Sequence, residues 1–269
     1  MLRAKALLPL ALLAAVLSGC ATPRVVPMHG DATSRIKSTE LVVVLSQQEI
    51  VAEITASNVA AAGGGGLLLA LVDVAVNKSR ADDAEQAIGG VRNALLDYDF
   101  PKQVRASLER ELGQLGWVNL QSPTRTEMSP SATKINEAVA RSAANAVLIV
   151  NVKYTLSPDF SLMKVNAEVT GHPRTDELTA LAKQARPDLD PPLLYRNSFL
   201  VANGAGGPFA NQAAAAKAWA DNNGKTAREA LDKGAADLAK RIAADLELAR
   251  ANAKAGGATA AAAPTPGTR

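Results

Sequence analysis

Cysteine, histidine and aromatic side chains are scarce in this sequence. Its 269 residues include one cysteine, two histidines and only 3% aromatic residues. A single cysteine excludes an internal disulfide framework and a multi-cysteine zinc site. His29 lies near the N-terminus and His172 in a predicted turn before a proline, so a two-histidine metal site or a Ser-His-Asp triad has little to build from. Proteins that bind single-stranded nucleic acid stack bases on aromatic rings. We therefore expect no metal, no cofactor and no nucleic acid.

The clearest pattern lies at the N-terminus. Arg3 and Lys5 precede an apolar run over residues 6–17, and Leu17-Ser18-Gly19-Cys20 follows. A basic start before a short apolar run is typical of a secretory signal, and the run is too short to span a bilayer as a mature helix. The last four residues resemble the lipobox of bacterial lipoproteins, with a leucine three residues before the cysteine and two small residues between them.

The lipobox resemblance implies a chemical fate for Cys20. In that family the signal peptide is cut before the cysteine, here between Gly19 and Cys20. The sulfur then takes a diacylglyceryl group, and the new amine takes a fatty acid such as palmitate. An aspartate after the cysteine tends to retain family members in the inner membrane, whereas this chain has Ala21. We expect an outer-membrane lipoprotein that faces the periplasm. The alternative is an ordinary secretory signal with an incidental cysteine.

Removal of a signal peptide over residues 1–19 would leave 250 of the 269 residues, enough for a single domain with a substantial core. The net charge of +3 falls with the loss of Arg3 and Lys5, because 27 basic residues then face 26 acidic ones. This balance also argues against nucleic acid. We predict a flexible tether over residues 20–39, which as a random coil has an end-to-end distance of about 25 Å. A single domain over residues 40–254 and a disordered Ala/Pro/Thr tail over 255–269 follow it.

The periodicity of apolar residues predicts an α+β fold. Helices pack on a mixed or mostly antiparallel sheet, and a long helix lies at the C-terminus. The pattern does not match a βαβ dinucleotide-binding fold. The predicted strands cover residues 41–45, 117–120, 147–154, 161–169 and 193–201. The third and fourth of these form a predicted hairpin. A predicted loop over 122–130 and a predicted helix over 131–144 separate the second strand from the third. Further predicted helices run from about residue 80, from Pro101, around Leu178, over 211–220 and from Thr226. The stop signal Asn222-Asn223-Gly224 ends the helix over 211–220.

This element order and the exit Leu115-Gly116-Trp117 resemble the α/β domain of envelope lipoproteins. That group includes the curli secretion lipoprotein and the activators of penicillin-binding proteins. The resemblance covers about residues 38–250. It implies an envelope location and an α/β domain, and it assigns no functional residue beyond the Cys20 of the lipobox.

Four glycines at residues 63–66 introduce a ten-residue segment, 67–76, whose single charge is Asp73. Glycine-rich loops before helices can bind phosphate, but Leu67 and its neighbours occupy the positions of the further glycines in nucleotide-binding loops. As a helix the segment covers about 15 Å, half of a bilayer core. It must therefore be buried in the domain, dock a partner or a second copy, or lie on the membrane. The candidate interface residues are Leu67, Leu68, Leu71 and Val74.

Other candidates for chemistry have simpler interpretations. Gly224-Lys225-Thr226 resembles the end of a phosphate-binding loop, but Trp219 stands where its first glycine belongs, so we predict a helix cap. Asp82 and Asp83 are adjacent on a helix and cannot face one another. Asp97 and Asp99 flank Tyr98, and Asp99 suits a helix start better than a catalytic acid. His172 precedes Pro173 and reads as a solvated turn histidine, with a general base as the alternative.

Two classes of function remain open from the sequence. The first is a non-enzymatic envelope module that binds another protein or assembles with itself. The second is an envelope hydrolase that uses carboxylates. A cleft lined by Asp97, Asp99 or His172 with shifted pKa values favours the hydrolase. An apolar patch or an exposed sheet edge favours the binding module.

Overall fold

The structure is a computed structural model that describes residues 25–28, 30–54, 67–128 and 131–261. Of these, residues 67–77, 132 and 253–261 are described by their backbone alone. Gly19, Cys20, His29 and the glycines at 63–66 lie outside the described residues.

A mixed sheet organises the domain, as predicted, and it has six strands within the described residues. Its strands are β1 (Thr39–Leu45), β2 (Val51–Ala52), β3 (Leu120–Met128), β4 (Ala146–Leu156), β5 (Leu162–Pro173) and β6 (Tyr195–Gly204). The order is β3-β1-β4-β5-β6, and β2 pairs with β4 beyond the end of β1. The pairings of β1 with β3 and with β4 are parallel, as is that of β2 with β4. β4, β5 and β6 run antiparallel to one another, and the predicted hairpin is β4–β5.

Six helices accompany the sheet in the described chain: α1 (Gly30–Arg35), α2 (Leu67–Ala94), α3 (Phe100–Gly113), α4 (Ala132–Arg141), α5 (Asp176–Ala185) and α6 (Gln212–Ala261). The predicted long C-terminal helix is α6. It is broken at residues 221–224, where Asn222, Asn223 and Gly224 adopt positive φ. The stop signal Asn222-Asn223-Gly224 is thereby confirmed.

The core lies mainly on one face of the sheet, under α2, α3 and α6. Trp219, Tyr195, Phe100 and Phe160 are its largest fully buried side chains. On the other face α4 covers a smaller cluster of valines and isoleucines from β1 and β4. β1 is buried on both faces, which explains its unbroken apolar run.

The predicted loop over residues 122–130 is wrong, because β3 occupies Leu120–Met128. β3 is an edge strand, and most of its side chains are exposed or half-buried. It therefore lacks the apolar alternation that marks a strand in sequence. Pro123 is tolerated because an edge strand need not donate every backbone N–H to a neighbour.

The predicted tether over residues 20–39 is wrong from residue 25 onward. Val26, Met28, Ala32 and Ile36 are buried, and α1 packs on α5 and α6. The apolar residues are spaced among polar ones, so they form no period along the chain. Their burial depends on partners far away in sequence.

The predicted disordered tail starts too early. α6 continues to Ala261, and residues 262–269 lie outside the described chain. Alanine has the highest helix propensity of all residues, which lets an Ala-rich segment prolong a helix that already exists. Within the described residues, no helix is both long and apolar enough to cross a membrane.

Candidate functional site

A cleft of about 280 Å³ opens at the end of the sheet where β1 and β4 finish. We call it the sheet-end cleft. Residues 48–50 after β1, the C-terminal end of α2, the α2–α3 turn and Tyr154 of β4 line it. In open α/β sheets, ligands commonly bind at the carboxyl ends of the parallel strands. Its position therefore makes this cleft the candidate site.

The floor of the cleft is a pair of aromatic rings. Phe100 begins α3, and its ring centroid lies 4.5 Å from that of Tyr154 with the planes tilted by 53°. The Tyr154 hydroxyl donates to the Gln48 carbonyl oxygen at 3.0 Å. Burial, with a smaller contribution from the charge of Glu49, raises the pKa of Tyr154 to about 12. This hydroxyl is a fixed donor at neutral pH.

Arg92 forms one wall of the cleft. Its Nε donates to the Ile50 carbonyl oxygen at 3.0 Å and lies 3.3 Å from a carboxylate oxygen of Glu49. Its guanidinium also pairs with Glu85 through both terminal nitrogens. The hydrogen bond from Arg92 lowers the pKa of Glu85, and the same bond raises the pKa of Arg92. The guanidinium therefore ties α2 to the loop after β1.

Arg228 of α6 holds the α2–α3 turn in place. Its Nη2 donates to the Ala94 carbonyl oxygen at 2.6 Å, and its Nε donates to Asn223 at 3.1 Å. The guanidinium carbon lies 5.6 Å from the centre of the Tyr98 ring. Arg228 also pairs with Asp97, and this hydrogen bond lowers the pKa of Asp97.

Tyr98, which belongs to the same turn, makes a second contact with α6. Its hydroxyl donates to a carboxylate oxygen of Asp232 at 2.6 Å. Burial, reinforced by that bond, raises the pKa of Tyr98 far above its ordinary value. The turn is thus held to α6 by a neutral phenol and a guanidinium.

The turn presents Leu96 at the rim of the cleft. Leu96 is 78% exposed, the largest exposed fraction among the large apolar side chains that the structure describes as exposed. Its neighbour Leu95 packs against the core. Leu96 is therefore an exposed apolar side chain on a turn that Arg228 and Tyr98 hold to α6.

The carboxylates that the sequence offered have structural partners. Asp97 pairs with Arg228, and Asp99 accepts from the Lys102 backbone N–H at 2.9 Å as the cap of α3. The helix-start interpretation of Asp99 is confirmed. Asp82 and Asp83 are both exposed on α2, as predicted for a solvated face.

His172 does not lie in a solvated turn, so that prediction is wrong. It belongs to β5, paired with Val147 of β4, and its Nε2 lies 2.9 Å from the Thr170 hydroxyl oxygen. Burial lowers its pKa to about 4. The dipeptide His172-Pro173 is typical of a solvent-exposed turn. β5 nevertheless continues to Pro173, which pairs with Ala146 at the end of the strand.

The other motifs fall on helices. Gly224 is the last residue of the break in α6, and Lys225 and Thr226 follow it. Trp219, before the break, is buried, and its ring N–H donates to the Phe160 carbonyl oxygen at 2.7 Å. The two predicted helices meet at this break, and the predicted cap stays a prediction. Leu67, Leu68, Leu71 and Val74 lie in the first turns of α2, but their side chains lie outside what the structure describes. Their role stays a prediction.

Two further features bear on ligands. Among the described residues, no group of three or more His, Cys, Asp or Glu side chains is arranged to hold a metal ion. A second cavity, near Met28 and Trp117, measures about 20 Å³ and has apolar walls. It has room for about one water molecule.

Comparison with protein-family models, with curated proteins and with solved structures found no match.

Sequence reasoning did not identify Arg92, Leu96, Tyr98 or Tyr154 as site residues. Tyr154 lies near the end of an alternating strand, Arg92 lies in the last turn of α2, and Leu96 and Tyr98 lie in the turn that follows. The local sequence pattern therefore accounts for each residue without a functional role. Arg92, Tyr98 and Tyr154 each bond to a residue far away in sequence, as Tyr98 does to Asp232. The one local signal was the turn between two predicted helices.

Proposed function

We propose that this chain is a lipid-anchored envelope protein that binds a protein partner through the sheet-end cleft, without catalysis of its own. The observation that carries the binding role is the exposed Leu96 on a turn fixed by Arg228 and Tyr98. The lipobox around Cys20 supports the lipid anchor.

A fixed apolar side chain favours binding for a physical reason. Removing apolar surface from water stabilises a complex by about 25 cal/mol per Å². A turn that is already ordered loses little conformational entropy when a partner docks. Tyrosine and arginine, which line the cleft beside Leu96, are enriched at protein interfaces.

The partner is either a different envelope protein or a second copy of this chain. The hydrolase alternative gains no supporting observation, since Asp97 and Asp99 hold the α2–α3 turn and cap α3. Their environments make them structural carboxylates in the free protein.

The anchor is tested with Cys20→Ser. We expect the wild-type protein to take up an alkyne-tagged palmitate and to fractionate with outer membranes, and the variant to do neither. Each buried methylene contributes about 0.8 kcal/mol, and several acyl chains act together. Equal membrane retention of both proteins would contradict the anchor, and recovery with inner membranes alone would contradict the outer-membrane location.

The binding role is tested with a photo-reactive amino acid at Leu96 in intact cells. The matched control places it at Leu248, another leucine that is 59% exposed on α6. We expect a discrete covalent adduct from position 96 and none of that size from position 248. An adduct of twice the chain mass identifies a second copy. Identical patterns at both positions would remove the support for this cleft.

A further inference from the structure

The N-terminal segment fixes one end of the tether onto the domain. Val26 is 2% exposed, and it pairs with Arg196 of β6 through two backbone hydrogen bonds of 2.8 Å each. α1, which follows, packs on α5 and α6. Among the described residues, Val26 is therefore the point of attachment to the domain that lies nearest to Cys20 in the sequence.

This attachment limits how far Cys20 can lie from the domain. Six residue steps separate Cys20 from Val26, and an extended chain advances at most 3.3–3.6 Å per residue, or about 20 Å in all. A free tether ending at residue 39 would reach about three times as far by the same rule. Covalent geometry alone holds Cys20 close to Val26.

Val26 lies at the opposite end of the sheet from the cleft. Its partner Arg196 pairs with Thr170, which pairs with Ile149 of β4. Tyr154, in the cleft, is five residues further along β4, about 17 Å at the usual rise of a strand. We call the end formed by Val26, Arg196, α1 and α5 the anchor pole. α1 and α5 are linked there by the ion pair between Arg35 and Glu177.

α6 confirms the direction of this axis. Near the cleft end of β6, Asn203 donates to the Ala230 carbonyl oxygen at 3.0 Å. Near the anchor pole, Tyr195 pairs with Asp245, and Asn197 donates to the same carboxylate at 3.1 Å. β6 and α6 thus both run between the two ends of the domain.

We propose that the anchor pole faces the membrane and that the sheet-end cleft faces away from it, into the aqueous compartment. This orientation rests on the proposed lipid at Cys20. The partner of the cleft then approaches from the aqueous side, and the cleft does not bind lipids of the membrane that carries the anchor.

The orientation is tested by energy transfer to a membrane surface. Cys20 is the only cysteine and is blocked by its lipid, so an introduced cysteine takes a donor dye uniquely. Lys183→Cys on α5 marks the anchor pole, and Gln48→Cys marks the cleft; both positions are exposed. The full lipidated protein is reconstituted into phosphatidylethanolamine and phosphatidylglycerol vesicles that carry an acceptor lipid. We expect higher transfer efficiency from position 183 than from position 48. Equal or reversed efficiencies overturn the orientation.

Two controls complete the experiment. A long Gly/Ser insert between Ala21 and Thr22 should bring the two efficiencies together, because the domain can then turn freely; an unchanged difference also overturns the proposal. Vesicle flotation of the labelled proteins and of Cys20→Ser comes first. Failure of the lipidated protein to float contradicts the anchor itself, whereas floating with equal efficiencies contradicts the orientation alone.

Discussion

His172 sits in β5 with its pKa lowered to about 4 by burial, below the ordinary value of about 6.5 in an unfolded chain. Between these two values the unfolded chain binds a proton that the folded protein does not. Stability therefore rises with pH across this window and is lost as the pH falls through it. Hydrogen bonds from Ser157 and Ser161 lower the pKa of Asp159 to about 2. The protonation of Asp159 therefore affects stability only at more acidic pH.

We predict that His172→Gln removes this dependence. In a His29→Gln background, the parent should lose about 1–2 kcal/mol of unfolding free energy between pH 7 and pH 5, and the His172→Gln variant should stay nearly flat. Urea denaturation at a series of pH values measures both. A slope that is the same in both proteins would show that His172 is not the group responsible.

At the scale of elements, the contact between α2 and α6 holds the α2–α3 turn in position. Gly224 has φ of +69°, and a Cβ at this position would lie 2.9 Å from the Ala94 carbonyl oxygen. Arg228, four residues later, donates to that same oxygen. The break in α6 therefore allows its backbone to meet the end of α2, which a side chain at residue 224 would prevent.

Gly224→Ala should destabilise the protein by at least about 1–2 kcal/mol, because the left-handed backbone and the short contact both oppose a methyl group. Gly89→Ala is the matched control. A Cβ at Gly89 in α2 meets nothing within 4 Å, so this change should stabilise the helix by about 0.5–1 kcal/mol. Urea denaturation checks both signs. Equal effects would argue against the close approach at Ala94.

At the scale of the whole molecule, the segment before β1 belongs to the domain and sets where the anchor joins it. Val26, Met28, Ala32 and Ile36 are buried in contacts that join both ends of the described chain. Lys37 and Ser38 donate backbone N–H groups to the side chain of Asn145, at 3.1 and 2.9 Å. The domain therefore includes residues 25–38.

Two adjacent valines test this boundary. Val26 is 2% exposed and Val25 is 54% exposed. We predict that Val26→Asp costs about 3 kcal/mol or more, because it buries a carboxylate, and that Val25→Asp changes stability by less than about 0.5 kcal/mol. Thermal unfolding of the soluble chain without residues 1–20 measures both. If both variants unfold at the same temperature as the parent, the prediction of a free tether over residues 25–39 stands.

The sequence by itself determined the features that depend on local pattern. The unbroken run of β1, the β4–β5 hairpin, the Asp99 cap and the break at Asn222-Asn223-Gly224 follow from alternation, capping chemistry and residues that accept positive φ. The lipobox prediction likewise depends only on residues that are adjacent in the chain.

Tertiary structure alone decided the features that depend on distant partners. β3 is a strand because β1 offers it an edge, and residues 25–38 are part of the domain because α5, α6 and β6 bury them. The cleft joins Gln48, Arg92 and Tyr154, each of which is explained locally by its own element. Burial and hydrogen bonding across the fold act on pairs of residues, and no one-dimensional pattern records which pairs will meet.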